Sequence, residues 1–369
     1  MILDGVFNHA SRGFWQFHHI LENGKNSPYL DWFHIKGWPL RPYSSDKDHP
    51  ANYEAWWGYP ALPKLNTDNP GVREMIFDVA RYWLDFGMDG WRLDVPADID
   101  DDDFWREFRR VVKEANPSAY ICGEIWHPAQ RWLQGDMFDA VMNYIFATHT
   151  ICFFGAESLR TNEFKHPEFP MEPLDVETFA ARIDEMHDRY DWGVNYAQMN
   201  LLDSHDMPRA LWLMKDDVSA LKLAVLFQMT MPGAPTVYYG DEIGLSAGTD
   251  PLCREAFPWG HEDRWNKDLM QHYRSAAALR NQNPVLRTGS FKSVYASDGV
   301  YAFYRSLDQK KAVAVFNAGT SEAKVTLDLN GASQGTYYKA WPNAGEQFEA
   351  QDGKLSLTIP AREGVVLLR

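Results

Sequence analysis

Short apolar runs and amphipathic segments alternate along the chain from Met1 to about residue 283. Residues 69–87 are of the amphipathic kind: they open with Asn-Pro and close at Gly87, as a helix does. Residues 88–95 follow as an apolar run with the length of a strand. Repeated alternation of this kind predicts a parallel sheet whose strands are joined by helical crossovers.

Polar residues stand at the C-terminal end of several predicted strands. They are Asn8, His9, Arg92, Asp94, Glu124, His205, Asp206 and residues 239–242. In a (β/α)8 TIM barrel, the active site lies at that end of the strands. A doubly wound sheet, the alternative α/β architecture, normally has a glycine-rich phosphate loop after its first strand, and the sequence has no G-x-G-x-x-G. We therefore predict an α/β fold of the TIM-barrel type.

Two stretches depart from the alternation. Residues 10–70 are rich in Trp, Tyr, Pro, Gly and His with little periodicity, which predicts a loop-rich B domain inserted in the barrel. Residues 284–369 contain short alternating strands between turn signals, which predict a C-terminal antiparallel β-sandwich domain. The predicted catalytic domain, a partial barrel that includes the insertion, covers residues 1–283.

Charge and cysteine usage limit the partners and the compartment. The formal net charge of −15 argues against nucleic acid, because phosphate binding needs a basic patch, and against an anionic membrane. No apolar run is long enough to span a bilayer. Cys122, Cys152 and Cys253 have no metal-ligand spacing. They are typical of a reducing compartment, which predicts a cytoplasmic protein.

Three acidic residues share the predicted active end of the barrel: Asp94, Glu124 and Asp206. Cleavage of a glycosidic bond needs such groups, one ionised to attack the sugar and another protonated for the leaving oxygen. Arg92 shares a strand face with Asp94, because side chains alternate along a strand, and its charge would keep Asp94 ionised. His9 and His205 can donate to sugar hydroxyls. Trp126 can stack on a sugar ring, with core packing as the alternative.

Other interpretations use the same residue types. Arg92 and Asp94 could form a structural ion pair only. A metal cluster of Asp, Glu and His is another, although the chain has no H-x-H or H-E-x-x-H motif. A serine nucleophile is a third, because G-x-S-x-G occurs at residues 244–248 and 331–335. That nucleophile needs a strand before it and a helix straight after it, whereas both copies are predicted to lie in turns.

Four motifs occur in the order typical of the α-amylase family of glycoside hydrolases (family 13), which the sequence resembles. They are DGVFNH at residues 4–9, GWRLDV at 90–95, GEIWH at 123–127 and LLDSHD at 201–206. LPKLN at residues 62–66 and DPLCREAFPW at 250–259 resemble the branch of neopullulanase, cyclomaltodextrinase and maltogenic amylase. Residues 284–369 resemble the C-terminal domain of the family.

The resemblance implies a role for each matching residue. Asp94 matches the nucleophile that forms a covalent glycosyl intermediate, Glu124 matches the general acid/base, and Asp206 matches a third acid that holds sugar hydroxyls. With Trp126 added on chemical grounds, the candidate substrate-binding residues are His9, Arg92, Trp126, His205, Asp250 and Arg254. The implied enzyme is a retaining α-glycosidase that acts on α-1,4 bonds, and secondarily on α-1,6 bonds, in maltooligosaccharides, cyclodextrins or pullulan.

Further expectations concern cofactors and partners. No cofactor is required in the implied mechanism. Asn8 matches a calcium ligand of many amylases, but no other calcium ligands are evident in the sequence, so calcium at Asn8 is kept as an alternative. The implied partner is an α-glucan oligosaccharide. The parent protein is expected to be a homodimer.

Two features depart from the family pattern. Pro96, Ala97 and Asp98 follow Val95, where the branch usually has Ala-Asn-Glu, so linkage preference does not carry over from the branch. The first family motif, which belongs to the third barrel strand, begins at residue 4. We therefore expect that the first two βα units and the N-terminal domain of the branch are missing and that the chain is a fragment of a longer protein.

Two alternative functions stay open. An α-1,6-glucosidase or transglycosylase of the same family is one, because a sugar can intercept a covalent glycosyl-enzyme in place of water. A non-catalytic homologue that serves as a binding or accessory protein is the other. Such proteins commonly lose one of the three acids, and this chain keeps Asp94, Glu124 and Asp206.

Overall fold

The structure, a computed structural model, describes residues 1–43, 48–329 and 334–369. The chain divides into two compact units. The first unit consists of Met1–Ile125 with Ala129–Val141, and the second of Trp126–Pro128 with Met142–Arg369. The G-x-S-x-G sequence at 331–335 lies largely outside the described residues. The copy at 244–248 has neither a strand before it nor a helix after it, which excludes a nucleophile turn there.

The first unit is built on a parallel sheet. Its elements are β1 (Ile2–Gly5), α1 (Trp15–Asn23), α2 (Pro70–Asp85), β2 (Gly90–Leu93), α3 (Asp102–Ala115), β3 (Tyr120–Gly123) and β4 (Ala140–Val141). The four strands lie in the order β1-β2-β3-β4, and every neighbouring pair is parallel. Helices α2 and α3 each connect two parallel neighbours, so the predicted alternation of strand and helix is confirmed.

Local sequence explains where these two helices begin. The Asn69 side chain caps α2 by accepting the N–H groups of Gly71 and Val72, and Pro70 occupies the first helical position, where no N–H is needed. The Asp101 side chain caps α3 by accepting the Phe104 N–H. The acidic run at residues 100–103 therefore forms a helix N-terminus, where the helix dipole favours acidic side chains.

In the aromatic stretch between β1 and α2, the described residues (6–43 and 48–69) have little regular structure beyond α1 and three short 3₁₀ turns. Isolated antiparallel bridges hold it together, including His9 with Lys64 and Phe33 with Leu65. Phe17 is fully buried, and its ring meets the rings of Phe33 and Tyr53 edge-on. These contacts form a small aromatic core that positions the chain after β1.

The second unit begins with helices and two short parallel strands. Its elements up to residue 288 are α4 (Tyr144–Phe154), α5 (Val176–Asp188), α6 (Trp192–Ala197), β5 (Met199–Asn200), α7 (Ala210–Leu213), α8 (Val218–Thr230), β6 (Ala234–Pro235), α9 (Lys267–Gln282) and α10 (Pro284–Thr288). Strands β5 and β6 pair in parallel, with α8 between them in the sequence. Among the described helices, none combines the length and the apolar composition needed to cross a bilayer.

The C-terminal part of the second unit is antiparallel. Its strands are β7 (Ser290–Ser297), β8 (Val300–Leu307), β9 (Lys310–Asn317), β10 (Ala323–Asp328), β11 (Gly335–Trp341), β12 (Gln347–Ala350), β13 (Lys354–Ile359) and β14 (Glu363–Leu368). Six of them form a sheet in the order β12-β11-β14-β9-β8-β7, and β10 pairs with β13. Every second residue of β13 is buried, and these side chains join a core with residues of the larger sheet, as in a β-sandwich.

Candidate active site

Asp94 and Glu124 occupy equivalent positions at the ends of neighbouring strands. Asp94 follows β2, and its N–H donates to the Gly5 carbonyl at 3.1 Å. Glu124 follows β3, and its N–H donates to the Leu93 carbonyl at 2.9 Å. The ladder of the parallel sheet therefore continues one residue past each strand and fixes both residues at its C-terminal edge.

The Arg92 guanidinium joins three carboxylates in the first unit. Nη1 lies 2.6 Å from Asp4 Oδ1 and 2.9 Å from Asp94 Oδ1, and Nη2 lies 2.9 Å from Glu124 Oε2. Burial alone would lower the pKa of Arg92, but the charges of Glu124, Asp4 and Asp94 raise it above its ordinary value. Because one planar group contacts both Asp94 and Glu124, these two carboxyl groups lie side by side.

Val95 gives the turn after Asp94 an unusual backbone conformation. Its φ of 35° and ψ of 51° are left-handed, which is a rare conformation for a β-branched residue. In this conformation its N–H donates to Glu124 Oε2 at 3.1 Å. The strained turn therefore helps to orient Glu124, as is common at functional sites.

His9 follows β1 at the same edge of the sheet and is close enough to Asp94 to feel its charge. Burial lowers the pKa of His9, opposed by the nearby charges of Asp94 and Asp98. Its ring stacks on Trp56, with centroids 5.0 Å apart and an interplanar angle of 16°. A lowered pKa favours the neutral imidazole near pH 7, which can both donate and accept a hydrogen bond.

Asn8 lines a cavity of mixed charge in the first unit, and calcium at this position stays a prediction. Its side chain is buried, and Oδ1 has no hydrogen-bond partner among the described residues. The cavity beside it is lined by two lysines, Lys36 and Lys64, and by two acids, Glu54 and Asp98, whereas calcium needs six to eight oxygen ligands. Across the described residues, no cluster of three or more His, Cys, Asp and Glu could hold a metal.

The second unit brings four other candidates together. Asp206 Oδ2 lies 3.1 Å from His205 Nε2, and Asp206 Oδ1 accepts from Arg254 Nη2 at 2.9 Å. Arg254 Nε lies 2.9 Å from Asp250 Oδ1 and donates to the His205 carbonyl at 2.8 Å. All four side chains are at least about one-third exposed, so their polar atoms remain accessible to a ligand.

Trp126 differs from the open sugar platform that the sequence suggests. Its ring stacks on Tyr144 with centroids 3.6 Å apart and on His166 with centroids 4.4 Å apart. Two rings at such distances must lie on opposite faces of the indole, so both faces are covered. The structure therefore favours the packing alternative for Trp126. Tyr144 also contacts Ser204 through a 3.0 Å hydrogen bond between the two hydroxyls.

Asp203 and Asp241 form a carboxyl pair buried in the second unit beside Arg209, and no sequence motif identified them as a pair. Arg209 Nη1 donates to Asp241 Oδ1 at 2.9 Å. Burial raises the pKa of both acids, and the charge of Asp203 raises that of Asp241 further. Asp203 Oδ1 has no donor among the described residues, and a proton on Asp241 would supply one.

We expect this pair to make stability depend on pH. Raised pKa values mean that the folded state keeps a proton which the unfolded state releases above about pH 4. The free energy of unfolding should therefore fall as pH rises from about 4, by up to about 1.4 kcal/mol per pH unit. Asp241→Asn mimics the protonated acid and should remove this slope, as measured by urea unfolding between pH 4 and pH 7.

Asp217→Asn is the control, because Asp217 should change the free energy of unfolding with pH in the opposite direction. Burial would raise the pKa of Asp217, but hydrogen bonds from Ser219 and Ala220 and the charge of Arg362 lower it overall. Its contribution to stability is present above the ordinary Asp pKa and is lost as pH falls. An Asp241→Asn variant that kept the wild-type slope would contradict a proton held by the buried pair.

Carboxylates at the C-terminal ends of parallel strands, bridged by one guanidinium, are the arrangement of a glycoside hydrolase built on an α/β barrel. Comparison with known proteins agrees. Residues 1–263 match the sequence model described as "Alpha amylase, catalytic domain", and residues 294–369 match "Alpha amylase, C-terminal all-beta domain". The chain belongs to the α-amylase family. The predicted family and fold class, a TIM barrel followed by an antiparallel β-domain, are confirmed.

Individual relatives support the predicted branch. Neopullulanase 2 of Thermoactinomyces vulgaris is 40% identical over all of this chain and 59% of its own length. A cyclomaltodextrinase of a Bacillus species is 42% identical over 86% of this chain and 54% of its own length. The native form of the Nostoc punctiforme debranching enzyme superposes with a TM-score of 0.92 and 43% identity, over 99% of this chain and 75% of that one. The chain thus spans less than two-thirds of these two curated relatives.

Proposed function

We propose that this chain carries the catalytic site of a retaining α-glycosidase, in which Asp94 is the nucleophile and Glu124 the general acid/base. The observation that carries the proposal is the Arg92 bridge between these two carboxyl groups. In retaining enzymes, the two carboxyl groups act on the same glycosidic bond and lie about 5 Å apart. A guanidinium shared by the two acids suits that spacing.

The reaction has two steps. Asp94 Oδ attacks the anomeric carbon from the β face while Glu124 donates its proton to the departing glycosidic oxygen, which gives a β-glycosyl ester and a free alcohol. Glu124 then takes a proton from a water molecule while the oxygen of that water attacks the same anomeric carbon. The ester bond to Asp94 breaks, which releases the Asp94 carboxylate. Two inversions leave the product as the α anomer.

Other residues of each unit would hold the sugar. His9 is close to Asp94 and, when neutral, can donate to a sugar hydroxyl. In the second unit, Asp206, His205 and Arg254 offer a linked set of charged groups, which is typical of binding sugar hydroxyls. We propose Asp206 as the third acid, and Asp250 and Arg254 as contacts to the non-reducing side of the substrate.

We propose α-glucans as the substrate class: maltooligosaccharides, cyclodextrins or pullulan. The names neopullulanase, cyclomaltodextrinase and debranching enzyme among similar proteins support this class. They also keep the α-1,6-glucosidase and transglycosylase alternatives open. A non-catalytic accessory role is disfavoured, because all three acids are present.

Incubation with maltotriose, pullulan and β-cyclodextrin tests the proposal. We expect hydrolysis of at least one of them, with the α anomer appearing first in proton NMR spectra. Cleavage of pullulan alone would favour the α-1,6 alternative, and products longer than the substrate would indicate transglycosylation. A β anomer as first product, or no reaction on any α-glucan, would contradict the proposed mechanism.

We also propose a cytoplasmic protein that needs no cofactor. All three cysteines are buried and unbridged, as is usual in a reducing compartment, and the proposed mechanism uses side chains alone. The expected homodimer stays a prediction, which sedimentation of the purified chain would test.

A further inference from the structure

We propose that Trp57 is a stacking platform for a glucosyl unit of the substrate, at the outer end of a column of rings that begins at His9. The inference rests on the proposed function, because it takes the ligand to be an α-glucan. It assigns a specificity-determining contact to the inserted aromatic segment of the first unit.

The column consists of three nearly parallel rings. His9 stacks on Trp56 with centroids 5.0 Å apart at 16°, and Trp56 stacks on Trp57 with centroids 5.0 Å apart at 17°. His9 is buried and follows β1 at the same sheet edge as Asp94, whose charge acts on it, whereas Trp57 is 75% exposed. The column therefore leads from the acids of the first unit to an indole whose outer face meets solvent.

Trp57 has a backbone conformation that its own packing does not explain. Its φ of 48° and ψ of 24° interrupt the short turn Trp56–Gly58, and such left-handed values are rare for bulky residues. A strained backbone persists when the surroundings impose it, and it clusters at binding sites. Here the strain keeps a large apolar ring in water, which disfavours a purely structural role.

Charged groups surround the exposed ring. Trp57 lines a cavity of about 450 Å³ together with Lys36, Glu54, Lys64 and Asp98, a size typical of small-ligand sites. Lys36 lies 3.2 Å from Glu54, and Lys64 donates to the Asp98 carbonyl at 2.8 Å. A flat apolar face next to charged hydrogen-bonding groups matches a pyranose, which has apolar C–H faces and a rim of hydroxyls.

The test compares Trp57→Ala and Trp57→Phe in an Asp94→Asn background, so that bound glucan is not hydrolysed. Calorimetry gives the Kd for maltotriose, maltoheptaose and β-cyclodextrin. We expect Trp57→Ala to weaken maltoheptaose binding by about tenfold, the scale of one lost ring contact. Maltotriose should be affected less, and Trp57→Phe should retain most of the affinity.

Trp15→Ala is the matched control. Trp15 is also a largely exposed tryptophan of the first unit, at 61%, but it meets Tyr29 edge-on and belongs to no stacked column. Its removal should leave every Kd unchanged. Thermal unfolding of each variant checks that the fold is retained.

Three results would overturn the proposal that Trp57 stacks on a glucosyl unit. An unchanged maltoheptaose Kd in Trp57→Ala, with normal binding by the Asp94→Asn parent, would refute it and leave the proposed function standing. A changed sedimentation coefficient without a changed Kd would assign Trp57 to a contact between copies of the chain. Failure of the parent to bind any of the glucans would instead overturn the proposed function, and the platform with it.

Discussion

Replacing Asp94 with Asn is expected to lower kcat for α-glucan hydrolysis by about 10⁴-fold, the scale seen when a catalytic group is removed. An amide cannot form the glycosyl ester, although it fills nearly the same volume beside Arg92. Binding of substrate should change far less than turnover, because the ring contacts remain. Steady-state kinetics on maltotriose, with calorimetric Kd values, separates the two effects.

Glu124→Gln should cause a loss of similar size on maltotriose for a different reason, because the leaving oxygen no longer receives a proton. On an aryl α-glycoside whose phenol leaves without protonation, the first step should be much less impaired. Azide, which needs no base, should then accelerate turnover and give the α-glycosyl azide. This behaviour separates the acid/base from the nucleophile.

Asp139→Asn provides the matched control for both variants. The Asp139 side chain is 20% exposed, like that of Asp94, and it is also ion-paired, with Arg109 and Lys113. It precedes β4 and thus lies at the opposite end of the sheet from Asp94 and Glu124. Its replacement should lower stability with little effect on kcat. Near-normal turnover in Asp94→Asn or Glu124→Gln would show that the assigned roles are wrong.

Replacing Arg92 with Met is expected to lower both kcat and the free energy of unfolding. The loss of kcat should be the largest after those of Asp94→Asn and Glu124→Gln. The substitution leaves Asp4, Asp94 and Glu124 close to one another without a counter-charge. Removing one partner of a buried ion pair typically costs about 3–5 kcal/mol of unfolding free energy, and the Arg92 side chain is only 11% exposed. Urea unfolding measures this loss, and kcat should fall by at least about 100-fold as the two acids lose their alignment.

Arg92→Lys distinguishes charge from geometry. Lysine keeps the positive charge but lacks the planar fork that contacts two carboxylates at once. We expect it to recover much of the lost stability and little of the lost turnover. If Arg92→Met retained wild-type stability and kcat, the bridge would have neither a structural nor a positioning role.

The arrangement of the candidate residues in the first unit was predictable because it depends on local rules. A period of two residues placed Arg92 and Asp94 on one strand face, and the order of parallel strands placed Glu124 next to them. The register adds Asp4 directly opposite Arg92. Asp4 belongs to the DGVFNH motif. The alternation of side chains on β1 was the signal that could have identified Asp4 as a partner of Arg92.

Contacts between distant segments were not predictable in this way. Nothing in the GEIWH sequence indicates that His166 and Tyr144 cover the two faces of Trp126. The buried pair Asp203 and Asp241 depends on loops that follow different strands. Ring columns and buried acid pairs depend on the relative positions of segments far apart in the sequence, which local sequence patterns do not encode.

The bridging guanidinium has a consequence for how enzymes of this kind can diversify. The groups proposed to break the bond are held by the hydrogen-bonded ladder of β1, β2 and β3, whereas the proposed glucan contact at Trp57 sits on an irregular segment with little ladder of its own. Substitutions in that segment can change which glucan is held without disturbing the reacting carboxylates. Chemistry and substrate choice can therefore evolve separately within one unit of the chain.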